Sequence, residues 1–285
     1  MPSVTFQPVP RRPGRLPLLL LACAACFPQT VRAQAMNYGA LEDLFGEPVT
    51  TTATGTPQRA SEAPANMSIV TADDIRRSGS RNVPEILERI AGLEVLRTGL
   101  NAFDVGVRGY QQPMQPRMLV LIDGRQVFLD DYSRTDWSNL PLNIDDIRQI
   151  EVVKGAASAL FGSNAASGVI NIVTRSPQFD GGISVNTTLG TQEHRSIDTT
   201  IRLKGANGGV KLSFGGLDAR EFDTPRLPFD GFVTPASPNG TEPPTHRYVA
   251  LSAAIGLADN LQGTAEGSWT RSVSNPADNT DFNVV

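Results

Sequence analysis

In five stretches between Ile183 and Thr270 apolar and polar side chains alternate, a period of two that leaves the segment few folds to choose from. Ile183, Val185, Thr187 and Leu189 fall on one side of an extended chain, and Ser184, Asn186 and Thr188 on the other. Ile197, Thr199, Ile201 and Leu203 oppose Asp198, Thr200, Arg202 and Lys204 in the same way. Val210, Leu212 and Phe214 continue the pattern, then Val249, Leu251, Ala253, Ile255 and Leu257, then Leu261, Gly263, Ala265, Gly267 and Trp269. A helix would scatter these residues around its circumference, so the segment is read as antiparallel strands with one apolar face each. Alternation does not say whether that face looks into a soluble sandwich or out into lipid. The connections favour a membrane wall. Residues 205–209 and 258–260 are tight turns, whereas 219–247 is long, polar and proline-bearing. Short turns on one rim and long loops on the other characterise outer-membrane barrels, although the short connection at 192–195 runs against the rule.

Upstream the chain reads as one small α/β unit. Thr71 caps a helix with Asp74 in the reciprocal position and Gly79 at its end, and Asn82-Val83-Pro84-Glu85 opens a second helix with Ile86, Leu87 and Ile90 on one face. Strands are expected at 93–97, 104–109, 118–123, 147–154 and 168–175, with a turn at Asp123-Gly124. Met118-Leu119-Val120-Leu121-Ile122 is apolar on both faces, as a strand in the middle of a domain must be. Between 46 and 66 the chain is threonine-rich and proline-bearing, either a disordered leader or a strand offered to the edge of a partner's sheet.

At the N-terminus Arg11, Arg12 and Arg15 precede a short apolar run from Leu16 to Phe27, followed by Val31-Arg32-Ala33. That order is a secretory signal peptide, and the run is shorter than the roughly 20 residues a spanning helix needs. A lipoprotein site at Leu20-Leu21-Ala22-Cys23 and a twin-arginine signal at Arg11-Arg12 are the rival readings, and each still exports the chain. Both cysteines, Cys23 and Cys26, fall in this stretch, so disulfide and thiolate-metal frameworks are excluded from the rest. His194 and His246 stand without a paired histidine, which leaves a zinc or iron enzyme little to build on. A net charge of −4 gives no pull toward nucleic acid. Gly155 to Gly162 lacks the lysine a phosphate loop requires, and neither a Gly-x-Ser-x-Gly nor a His-Glu-x-x-His pattern occurs.

Four blocks then occur in one order: Val107-Arg108-Gly109; Pro116-Arg117-Met118-Leu119-Val120-Leu121-Ile122-Asp123-Gly124; Ile147-Arg148-Gln149-Ile150-Glu151-Val152-Val153-Lys154-Gly155; and Ala159-Leu160-Phe161-Gly162 through Gly168-Val169-Ile170-Asn171-Ile172-Val173-Thr174. Together they resemble the plug domain of TonB-dependent outer-membrane receptors. The resemblance implies a mixed α/β plug seated in a transmembrane β-barrel of about twenty-two strands, of which this chain holds the start. It divides the chain into a signal peptide (1–33), a TonB-box segment and linker (34–66), a plug (67–176) and an N-terminal, truncated part of the barrel (177–285). By the same resemblance Glu47, Pro48, Val49, Thr50, Thr51, Thr52, Ala53 and Thr54 correspond to the TonB box, with threonines where valines are frequent. TonB, driven from the inner membrane, would add a strand there and loosen the plug.

The resemblance also places ligand contacts on the apical loops, at Asn101, Phe103, Asp131, Tyr132, Arg134 and Trp137, although Trp137 could equally pack against Leu140. Arg108 and Lys154 fall where plug cations meet glutamates of the barrel wall. The function implied is active uptake of a scarce large solute, a ferric siderophore or a cobalamin-like ligand, with no catalytic residue, resident metal or cofactor. The competing readings are a secreted soluble α/β binding or signalling module and a non-functional receptor fragment. Five alternating stretches cannot close around such a plug, so the chain is expected to be a fragment or truncated reading frame.

Overall fold

The computed structural model describes residues 37–63, 66–97, 99–109, 117–127, 135–220, 243–258 and 261–273. Two five-stranded sheets form their framework. The first has the order β3 (Met67–Thr71), β8 (Ile147–Lys154), β9 (Gly168–Thr174), β6 (Met118–Ile122) and β7 (Arg125–Gln126). Its pairs are antiparallel except β6 with β9, which run parallel in the register Met118 to Gly168 and Ile122 to Ile172. A separate hairpin joins β4 (Leu93–Arg97) to β5 (Phe103–Val107).

The expected helix starts are present. Helix α2 (Ala72–Ser78) begins with the Thr71–Asp74 capping box and ends at Gly79 in a left-handed conformation with φ 66°. Helix α3 (Val83–Leu87) is capped by Asn82, whose side chain accepts from the Glu85 amide. Its Ile86 and Leu87 join Ile90, Val105, Val120, Ile150, Val152, Ile170 and Ile172 in one buried cluster. The Asp123-Gly124 turn has positive φ at both residues (51° and 79°), which reverses β6 into β7 with the hand a two-residue hairpin prefers.

After Arg175 the second sheet is a simple meander: β10 (Gly182–Leu189), β11 (Arg195–Lys204), β12 (Gly208–Asp218), β13 (Thr245–Ala258) and β14 (Leu261–Val273). Each strand pairs antiparallel with its successor. The orientation of its faces is the informative point. Ile183, Val185, Leu189, Ile197, Leu203, Val249, Leu251 and Ile255 are exposed, while Thr200, Arg202, Lys211, Ser213, Tyr248 and Thr270 are buried against the first sheet's domain. A soluble sandwich buries its apolar side. This sheet buries its polar side and turns the apolar one outward, as the wall of a membrane barrel does.

Candidate functional site

Two places in the fold join residues distant in sequence, and the first involves the segment expected to meet TonB. Asn37 caps helix α1 (Tyr38–Phe45), its side chain accepting from the Ala40 amide at 3.1 Å, and Gly46 ends the helix with φ 70°. The chain then forms β1 (Val49–Thr50), which turns back at Gly55 and pairs with β2 (Gln58–Arg59). In this structure the stretch is neither a disordered leader nor an open strand: Val49 and Thr50 are fully buried, Thr52 and Ala53 nearly so. The cause is a polar floor beneath them. Along β8 and β9 the residues facing away from the main core are Gln149, Glu151 and Val153, and Val169 and Asn171. The apolar part of this face is covered by Phe161 of helix α4 (Ser158–Phe161) and by Ala165 just after it. The polar part is covered by residues 49–52.

Glu151, with no exposure at all, accepts from the Thr50 hydroxyl at 2.7 Å, the Thr52 amide at 3.2 Å and the Thr52 hydroxyl, all on one oxygen. Gln149 donates to the other carboxylate oxygen at 2.6 Å and to the Val49 carbonyl at 2.8 Å. Asn171 donates to the Thr52 hydroxyl at 3.0 Å. Tyr38 of α1 closes the arrangement, its hydroxyl 3.1 Å from that of Thr51. Burial first, and then the negative charge of Glu151, hold the Tyr38 hydroxyl well above the usual tyrosine range. Arg148 fastens the same helix, donating to Glu42 at 2.5 Å and lying 3.8 Å from Asp180. A sequence signal for this floor existed: Gln149 and Glu151 stand two residues apart beside Ile150, Val152 and Val153, and Asn171 interrupts the apolar run Val169 to Val173.

The second place is the junction of plug and wall. Asp146, 2% exposed, receives Arg202 of β11 and, at 3.1 Å, the Lys211 ammonium of β12. Lys211 also donates to the Thr174 hydroxyl and the Arg175 carbonyl, and Asn186 of β10 donates to Asp145 at 3.1 Å. At this junction the anion lies on the inner domain and the cations on the wall. Arg108 and Lys154 form no ion pair among the described residues: Lys154 donates to the Ser68 hydroxyl and the Ala91 carbonyl, and Arg108 is exposed beside Gly155.

The expected ligand residues are dispersed. Trp137 is 8% exposed and lies in the main core with Leu140, the packing alternative of its two readings. Phe103 is half-buried against that core and lies under the Arg97 guanidinium, 5.4 Å from its ring centre. Asn101 borders a cavity of about 100 Å3 between the inner domain and the wall, which Arg97, Asp198, His246 and Tyr248 also line. Asp131, Tyr132 and Arg134 lie outside the described residues, as does the N-terminal stretch.

A small α/β domain held against a wall that is polar inward and apolar outward defines a class, the plugged outer-membrane barrels. Residues 59–169 match the family model of the TonB-dependent receptor plug domain. That stretch is a TonB-dependent receptor plug domain, and the antiparallel sheet that follows it is arranged as part of a barrel wall. It is 30% identical over 172 residues to the vitamin B12 transporter BtuB of Vibrio cholerae, a match covering 59% of this chain and 27% of that protein. It is 31% identical over 157 residues to the iron-regulated outer membrane virulence protein of the same species, covering 53% and 23%. The fold is similar to the alcaligin outer-membrane receptor FauA of Bordetella pertussis, with a TM-score of 0.55 at 18% identity, over 79% of this chain and 35% of that one. The chain thus spans about a quarter of the length of the curated relatives it matches.

Proposed function

We propose that this chain is the N-terminal part of an outer-membrane importer that takes up a large scarce solute, a ferric siderophore or a cobalamin-like molecule, at the expense of energy delivered by TonB. The observation that carries the reading is the seating of a TonB-dependent receptor plug against a wall whose apolar side faces outward. The relatives' names supply the two ligand classes. Residues 1–33 export the chain, and the mature protein resides in the outer membrane. Asn101 and the loop bearing Asp131, Tyr132 and Arg134 meet the ligand from the outside, and Phe103 and Trp137 support that surface from beneath. Arg108 and Lys154 pair with acidic groups of the wall beyond the strands described. Residues 47–54 form the TonB contact by strand addition. No bond is made or broken; the work is done by binding and conformational change.

The test is uptake by cells expressing the full-length receptor and lacking their own. Labelled cobalamin and a panel of ferric siderophores are supplied with and without TonB. Accumulation of one ligand class, abolished without TonB, is the expected result. Equal accumulation in both backgrounds would defeat the reading.

A further inference from the structure

We infer that the outward face of the wall carries a phosphate-binding site made by Arg195, Arg247 and Arg271, and that its occupant is the phosphorylated headgroup of a lipid in the outer leaflet. The inference rests on the proposal that the chain resides in the outer membrane, and not on what the receptor imports.

The strand registers bring these arginines to one place. Arg195 of β11 stands opposite Asp218 of β12, beside the long connection between β12 and β13. One step further from that rim, Gly216 stands opposite Arg247, and Arg247 stands directly opposite Arg271 of β14. Tyr248 and Thr270 are buried toward the inner domain, so their chain neighbours Arg247 and Arg271 take the outward side, and all three arginines are exposed. Gly216 makes room for this layout. A Cβ there would lie 2.8 Å from Cδ of Arg247, whose stem crosses the bare backbone toward Asp218.

The rest of the outward face contains no other cation among the described strand residues. It is apolar below the arginines, with Phe214, Trp269 and Leu251 exposed, and at the opposite rim it ends in Ile183, Leu203, Val210 and Ile255. Long connections mark the outer side of such a wall and short turns the periplasmic side. The arginines therefore border the lipid-facing surface on its outer margin, at the level where headgroups begin.

Their arrangement draws an anion. Like charges directly opposite on neighbouring strands destabilise a sheet, and Arg247 and Arg271 are such a pair. Asp218 is the only acid on this face of the described strands, and Arg247 donates to both of its oxygens at 2.7 Å. A phosphate set between the guanidinium forks offsets the repulsion through paired N–H donors, which a planar guanidinium offers and an ammonium does not.

The test uses the full-length receptor in nonionic detergent, with bound lipopolysaccharide read by native mass spectrometry. The parent should bind lipopolysaccharide about tenfold more tightly than the same glycolipid stripped of its phosphates, as basic side chains at a headgroup imply. The double variant Arg195→Gln with Arg271→Gln, which leaves the Arg247–Asp218 pair in place, should lose that preference. Lys204→Gln, at the opposite rim, should keep it. Arg271→Lys retains the charge without the fork, serves if the double variant does not fold, and should weaken the preference. Equal binding of the two glycolipids by the parent, or a preference that survives in the folded double variant, overturns the site. Displacement of lipopolysaccharide by inorganic phosphate at millimolar concentration assigns the arginines to a free anion and overturns the lipid. Reconstitution separates this inference from the reading beneath it. A receptor that enters no bilayer refutes the outer-membrane location and the site with it, whereas one that enters vesicles without any phosphate preference refutes the site alone.

Discussion

Asp146 places one buried carboxylate between two cations, Arg202 and Lys211. Removing one partner of a buried ionic group strands the others. Asp146→Asn should therefore destabilise the folded chain by about 3–5 kcal/mol, seen as a lower thermal unfolding midpoint in detergent. A loss under about 1 kcal/mol would mean that water already reaches the cations, as at a surface pair. Asp74 gives a prediction of opposite character, because its side chain is nearly half exposed at 46%. Hydrogen bonds from Thr71, then Arg77, hold its carboxyl below the ordinary 3.8. A depressed folded value adds stability above the unfolded value, lost as pH falls through the folded one. Thr71→Ala, costing about 1 kcal/mol at neutral pH, should show a shallower fall in stability on acidification below pH 3.8 than the parent. Both Thr71 and Asp74 could be read from sequence because a capping box is local. Asp146, Arg202 and Lys211 could not, because 56 residues separate the first two and nothing local records which strand will stand opposite.

At the scale of the elements, β8 and β9 are the spine of the plug, and their close approach depends on Gly168. A Cβ there would lie 2.6 Å from the Val153 carbonyl oxygen, so Gly168→Ala should force the strands apart and lower stability more than the same change at Gly46, where nothing is within 4 Å. Comparative urea unfolding of the two variants decides it; Gly46 carries its own penalty from φ 70°, which makes the comparison stringent. The strands of both sheets were legible because the period of two is a local property. Helix α1 and the pairing of β1 with β2 were not, since each owes its place to long-range contacts with Arg148, Gln149 and Glu151. Trp137 stayed between two readings for the same reason: an aromatic in a polar loop looks exposed until the core it fills is known.

For the whole molecule, the outward apolar side of the wall sets the solvent it requires. Val249→Arg, on the exposed face of β13, should cost roughly 2–4 kcal/mol for insertion into lipid vesicles if the residue sits near the mid-plane. The same substitution on a water-facing surface would be nearly neutral. Protection of the wall strands from protease in vesicles, parent against variant, measures the difference.

Sequence alone determined that residues after Pro177 are strands with one apolar side, and that four glycine-punctuated blocks build an α/β plug before them. It could not determine which side of those strands faces the protein, because alternation is unchanged when the two faces are exchanged. Tertiary structure decided that by setting Asp145 and Asp146 opposite Asn186, Arg202 and Lys211: buried polar groups must find partners, and they found them on the plug. The apolar side was thereby turned outward.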